Sequence, residues 1–235
     1  MKLNLDSINK HLHPIHKDGY IFIALFGFFA LLLNAISSFL GAIGLVLTVW
    51  CVYFFRNPAR FVPQNKGLVV APADGLVVDV CKARPPAELD IPLDREFIKV
   101  STYLSVFDVH LQRVPISGAI DRVEYNKGKF INAVKDKASD DNERNSITIK
   151  TDDGFIIPVV QIAGYVSRRI SCWVKEGKQV ETGERYGIIR FGSRVDIYLP
   201  EGIMPKVAVG QRMVGGETII ADISTHGDAL EAKEI

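Results

Sequence analysis

The chain has 235 residues, 48% of them hydrophobic, and a formal net charge of +1. That length suits one large domain or a domain with an accessory segment, and the near-zero charge excludes the concentrated basic face of a nucleic-acid binder. Three scattered cysteines, Cys51, Cys81 and Cys172, suggest neither a disulfide framework nor a zinc cluster and fit a reducing, cytoplasmic-side setting.

Residues 1–18 are polar and mildly basic. The spacing His11-x-His13-x-x-His16 fits neither a helical i, i+4 pair nor a common zinc motif, so no metal site is expected there. From Gly19 to Phe55 no residue is charged. The run is too long for a signal-peptide core and nearly twice the roughly 20 residues of one membrane span. Its single polar cluster, Asn34-Ala35-Ile36-Ser37-Ser38, predicts two short apolar helices, about 20–33 and 39–55, joined by a turn. Lys10 and Lys17 precede this hairpin and Arg56 and Arg60 follow it. Both ends thus carry the charge of a cytoplasmic membrane face. The expected location is the cell membrane, with the remainder of the chain on its cytoplasmic side.

Pro58 stops the second helix and marks the boundary between an N-terminal membrane-associated segment, 1–60, and a second domain, 61–235. Beyond Gly67, Val/Ile-rich runs alternate with Gly, Pro and Asp turns about every ten residues. Strands are predicted at 68–70, 75–80, 97–104, 116–123, 147–151, 156–162, 186–191, 194–198 and 218–223. Residues 133–146 are charged and predicted to form an exposed loop. In the last third, Val174-x-x-Gly177-x-x-Val180-x-x-Gly183-Glu184 recurs 33 residues later as Val207-x-x-Gly210-x-x-Met213-x-x-Gly216-Glu217. Glycines framing one apolar residue suit tight turns. The fold class expected is mainly β: a barrel-sandwich-like domain with an internal repeat, preceded by the helical hairpin.

Three features outside the repeat carry chemistry. Asp74-Gly75 is a turn with an acidic residue. His110 is the sole histidine between residues 17 and 225, and imidazole suits proton transfer near neutral pH. Gly192-Ser193 interrupts the strand-like run Arg190–Tyr198, where a glycine ordinarily marks a bulge or a close backbone approach.

With Pro72-Ala73-Asp74-Gly75, Phe107-Asp108-Val109-His110, Arg113-Val114-Pro115, Gln161-Ile162-Ala163-Gly164, Arg168-Arg169-Ile170 and Arg190-Phe191-Gly192-Ser193-Arg194 in this order, the chain resembles the short, membrane-associated branch of the phosphatidylserine decarboxylases. Archaetidylserine decarboxylases are close relatives of that branch. Two departures stand out: Arg194 follows the serine where many long-branch members have threonine, and Arg113 stands where many have a second histidine.

The resemblance implies a proenzyme that cuts itself after Gly192 into chains 1–192 and 193–235. Ser193 would become a covalent pyruvoyl group that condenses with the amine of a phospholipid substrate and draws electrons as CO2 leaves. His110, oriented by Asp74, would move the protons, and Arg113, Arg168 and Arg169 are candidates for binding the anionic substrate. The two chains and a membrane are the implied partners; a homo-oligomer is left open. A membrane-anchored, lipoyl-like adaptor without catalysis and a membrane serine hydrolase using Ser193, His110 and Asp74 are the competing expectations.

Overall fold

A computed structural model describes residues 13–92, 95–128, 142–164, 169–190 and 192–224. The chain divides into two compact units, Met1–Ala59 and Arg60–Ile235.

The first unit is a helical hairpin. Helices α1 (Tyr20–Ile36) and α2 (Ser38–Phe54) have 17 residues each and so measure about 25 Å at 1.5 Å per residue. The turn is tighter than the polar cluster predicts. Only Ser37 leaves the helical region, at φ −158° and ψ 132°, and Asn34 stays in α1 because it packs on Gly41. A Cβ at Gly41 would lie 2.5 Å from Asn34, and one at Gly44 would lie 2.7 Å from the Ala30 backbone. This small-residue seam lets the helices approach closely, as small residues do between helices in lipid. The outward side chains are large and apolar and remain exposed, among them Phe28, Leu31, Ile36, Phe39 and Val46. The continuous helical stretch Lys17–Ile36 is long and apolar enough to cross a membrane; the second helix is shorter. The hairpin's ends are tied by backbone bonds from His16 N–H to the Phe55 carbonyl, 2.9 Å, and from Asn57 N–H to the Pro14 carbonyl, 2.7 Å.

The second unit is built of strands β1 (Leu68–Val70), β2 (Gly75–Ala83), β3 (Phe97–Leu104), β4 (Leu111–Arg113), β5 (Gly118–Asn126), β6 (Arg144–Lys150), β7 (Ile156–Ala163), β8 (Ile170–Cys172), β9 (Gln179–Val180), β10 (Arg185–Ile189), β11 (Ser193–Pro200), β12 (Arg212–Met213) and β13 (Ile219–Asp222). An eight-stranded sheet, ordered β12-β2-β3-β11-β7-β6-β5-β9, curls into a half-barrel. A three-stranded sheet, β4-β10-β8, and the pair β1-β13 complete the unit. The mainly β expectation is met. Of the five strands of two or three residues, β1 was predicted and β4, β8, β9 and β12 were not, because so short a run carries no period.

The repeat occupies equivalent places. Its two copies supply β9 and β12, the two edges of the large sheet. Gly177 N–H bonds the Ile120 carbonyl at 2.8 Å and Gly210 N–H the Val77 carbonyl at 2.9 Å; likewise Gly183 N–H reaches Val114 and Gly216 N–H reaches Ala71, both at 2.8 Å. All four glycines have φ between 78° and 93°, the left-handed region where other residues are strained. Val180 and Met213, framed by them, are buried in the main core, about 1.5–3 kcal/mol for each such side chain. That core also takes Val77, Val100, Leu104, Ile147, Ile149, Val159, Val195 and Ile197.

Residues 142–146, predicted as exposed loop, are buried instead: Asn142, Glu143, Asn145 and Ser146 are at most 4% exposed. Each polar group has a partner, which is what makes burial tolerable. Residues 129–141, the rest of the predicted loop, lie outside the described residues. Arg144 binds Glu88 through Nε at 2.6 Å and Nη2 at 2.9 Å, and Ser146 Oγ donates to the same carboxylate at 3.2 Å. Glu88 sits on a short 3-10 turn, Ala87–Leu89.

Burial alone would raise the Glu88 carboxyl, but the Arg144 bonds, a backbone N–H and Ser146 outweigh it and hold it below the ordinary value. A depressed carboxyl adds stability above its unfolded pKa, about 4.3, and loses it as pH falls through the folded value. Glu88→Gln is therefore expected to cost about 1–3 kcal/mol at neutral pH and to flatten the acid limb of stability against pH, checked by denaturant unfolding from pH 3 to 7.

Candidate active site

Gly192 and Ser193 do not lie within one strand. The strand-like run Arg190–Tyr198, which Gly192-Ser193 interrupts in the sequence, breaks where the chain leaves β10 in the three-stranded sheet and enters β11 in the large one. Gly192 sits in this passage at φ 74°, with open space where a Cβ would be. Its glycine requirement is thus conformational rather than steric. Ser193 opens β11 and is flanked in register by Leu104 of β3 and Ala163 of β7. By the alternation of the pleat its side chain shares the inner face with Val195 and Ile197. It is fully buried, and among the described residues its Oγ has no hydrogen-bond partner. Phe191 lies outside the described residues.

His110, 1% exposed, stands just before β4. Because β4 pairs with β10, the histidine is held beside the end of β10 and hence beside Gly192. Its Nδ1 is 2.9 Å from the Asp108 carbonyl, and its Nε2 accepts the Gly192 N–H at 3.2 Å. A carbonyl only accepts and an N–H only donates, so the ring is neutral with its proton on Nδ1. The basic lone pair on Nε2 therefore points at the Gly192 backbone.

The contact expected between Asp74 and His110 is not made among the described residues. Asp74 instead accepts from Arg60 Nη2 at 2.9 and 2.7 Å and from Gly215 N–H at 2.8 Å. It lies in the turn before β2, two strands from β11. A backbone carbonyl does for the imidazole what a carboxylate was expected to do. Burial raises the Asp74 carboxyl above its ordinary value, and the Arg60 guanidinium and the Gly215 amide only partly oppose this.

A family profile described as phosphatidylserine decarboxylase matches residues 47–221. A phosphatidylserine decarboxylase proenzyme of Cereibacter sphaeroides is 52% identical over 94% of this chain and 95% of its own. Proteins of the same description from Ruegeria pomeroyi and Rickettsia felis are 52% and 54% identical over 90% and 88% of the chain, spanning 96% and 90% of theirs. The chain belongs to the phosphatidylserine decarboxylase family. Neither the non-catalytic adaptor nor the serine hydrolase is favoured by this membership.

Other expected residues of this phosphatidylserine decarboxylase homologue are placed less uniformly. Arg113 is buried at the end of β4 and donates from Nη1 to the Gly183 carbonyl at 2.9 Å. Burial, then the neighbouring charges of Arg185 and Arg60, push its pKa down to about 10. Arg169 is exposed just before β8; Arg168 lies outside the described residues. Sequence reasoning missed Arg60, which it took only as a flank of the hairpin, and the Asp108 carbonyl, since a backbone acceptor leaves no trace in residue type.

If the Asp108 carbonyl fixes the ring, Asp74→Asn leaves the tautomer unchanged. Imidazole 15N spectra of the uncut Ser193→Ala chain are expected to show a protonated Nδ1 and an unprotonated Nε2 for His110, with or without Asp74→Asn. A tautomer switch in the double variant would return Asp74 to the histidine.

Proposed function

We propose that the chain decarboxylates phosphatidylserine to phosphatidylethanolamine, after cutting itself between Gly192 and Ser193. The observation that carries this reading is the buried Ser193 Oγ, without a hydrogen-bond partner among the described residues, beside a left-handed glycine whose amide is bound by the His110 lone pair. A hydroxyl kept out of water and given no partner is costly, and such an atom next to a base points to chemistry.

In this scheme Ser193 Oγ bonds to the Gly192 carbonyl carbon while its proton passes to His110 Nε2, once that lone pair sheds the Gly192 N–H. The carbon–nitrogen bond breaks, and the same proton goes to the leaving Ser193 nitrogen, so the amide becomes an ester with no atom lost. Loss of the Ser193 Cα proton expels the Gly192 carboxylate. Water then replaces the freed nitrogen, which leaves as ammonia, and a pyruvoyl group remains.

The position fits that group. The Ser193 hydroxymethyl becomes a methyl, so the loss of an Oγ that has no partner among the described residues sacrifices no hydrogen bond, and the site keeps His110 beside it. When present, the pyruvoyl group supplies the electron sink for decarboxylation. His110 would then return a proton to the substrate carbon, and the positive field of Arg113 with Arg60 and Arg185, together with Arg168 and Arg169, would favour the anionic head group. The apolar hairpin would hold this machinery at the bilayer, on the cytoplasmic face to judge from Lys17, Arg56 and Arg60 at its ends.

Intact-mass analysis of the purified chain is expected to give fragments 1–192 and 193–235, the smaller without a free amino group. Ser193→Ala should remain one chain and release no CO2 from phosphatidylserine vesicles, and His110→Ala should slow cutting by about a hundredfold or more. An uncut wild-type chain with full activity would overturn the reading.

A further inference from the structure

We infer that three buried amides, Asn145, Gln161 and Gln112, form a positioning chain that fixes His110 against the Gly192–Ser193 bond. The inference rests on the reading that His110 acts on that bond. Asn145 Nδ2 donates to Gln161 Oε1 at 3.0 Å, Gln161 Nε2 to Gln112 Oε1 at 2.9 Å, and Gln112 Nε2 to the His110 carbonyl at 2.8 Å. Gln161 and Gln112 are fully buried and Asn145 is 3% exposed.

The direction of every link is set from one end. The His110 carbonyl can only accept, so the Gln112 amino group must face it. That turns Gln112 Oε1 toward Gln161, whose amino group must answer, and so Gln161 Oε1 faces Asn145. The series has one self-consistent arrangement, which makes it stiff.

Its place in the fold gives the stiffness a use. Asn145 is on β6 and Gln161 on β7, both in the sheet that carries Ser193; Gln112 is on β4, in the sheet that carries His110. Gln161 stands opposite Val195 of β11, two residues along from the pairing of Ala163 with Ser193. The chain therefore bridges the sheet of the proposed nucleophile to the sheet of the proposed base. The backbone alone holds His110 less closely: Ile189 N–H reaches the same carbonyl at 3.4 Å. Residue 187 makes room for the bridge, since a Cβ there would lie 2.7 Å from Gln161 Nε2.

Stability does not call for this arrangement. Replacing both partners of a buried hydrogen bond by apolar groups of similar shape is close to neutral, whereas removing one partner is costly. Three buried amides linked in series are better explained by the geometry they enforce. The link does not run through the Gly192–Ser193 bond, so it holds His110 in place after cutting as well as before.

The test compares the full chain in detergent with Gln112→Met/Gln161→Met and with Gln161→Glu. The double variant is expected to keep the wild-type circular dichroism, to cut itself about tenfold or more slowly, and, once cut, to show kcat on phosphatidylserine vesicles lowered by a similar factor with KM unchanged. Gln161→Glu can donate to Gln112 only while its carboxyl is neutral, so its cutting rate relative to wild type should fall as pH rises. A folded double variant that cuts at the wild-type rate, or changes KM alone, overturns the inference. Should the double variant not fold, a Gln161→Glu pH profile parallel to wild type overturns it and a diverging one supports it. Failure of the wild-type chain to cut would instead overturn the underlying reading.

Discussion

Between Ile189 and Ser193 the chain changes sheets within three residues. The site follows from that constraint. So short a passage between two sheets is made with a left-handed residue, which Gly192 supplies at φ 74°. The change of sheet also sets the two chemical partners on different layers. Ser193 belongs to β11, in the middle of the large sheet, while His110 comes with β4, which is paired to the strand the chain has just left. The peptide bond before Ser193 lies where the layers meet, so His110 on one layer reaches the Gly192 amide beside Ser193 on the other.

Charge is distributed around this junction rather than placed in it. Asp74 is committed to Arg60 and the Gly215 amide, which fastens the turn of the second repeat copy to the turn before β2. On the opposite face of β11, Arg194 and Asp196 pair in the interior, with Arg194 Nη2 donating to Asp196 Oδ2 at 3.0 Å. Arg194 Nε is also 2.9 Å from Asp196 Oδ1, close enough for attraction but not aligned as a hydrogen bond. Burial raises the Asp196 carboxyl, and Arg194, Ser101 and Lys99 work against it. These pairs commit Asp74 and Arg60, and Arg194 and Asp196, to one another rather than to His110.

Much of this was legible in the sequence, and what was not has physical reasons. The apolar hairpin, the longer strands and the glycine-framed repeat showed because each imposes a pattern over many residues. β4 did not show, although it positions His110, because Leu111-Gln112-Arg113 is short and carries no Val/Ile run. The charged stretch ending in Glu143, Arg144 and Asn145 looked like surface; only the fold brings Tyr125, Glu88 and Gln161 to those side chains. Asp74 was assigned to His110 by analogy with serine–histidine–aspartate sites. The sequence carried no sign that Arg60 would claim the carboxylate, or that a main-chain oxygen would serve the imidazole. Gln161 stood within a family motif and Gln112 between two of them, both without a role, because the reason for their polarity is each other.

The position of β11 has a consequence for timing. Its eight residues pair with β3 on one side, over their whole length, and with β7 on the other, and β13 closes back on β1 near the start of the unit. A ribosome must therefore deliver almost the entire polypeptide before Ser193 can be enclosed and His110 brought across from it. Under the proposed scheme, topology would prevent scission before β11 has emerged, with no need for an inhibitor. The fragment beginning at Ser193 would then be born already inserted between two strands of its partner, with no independent life as a folded object.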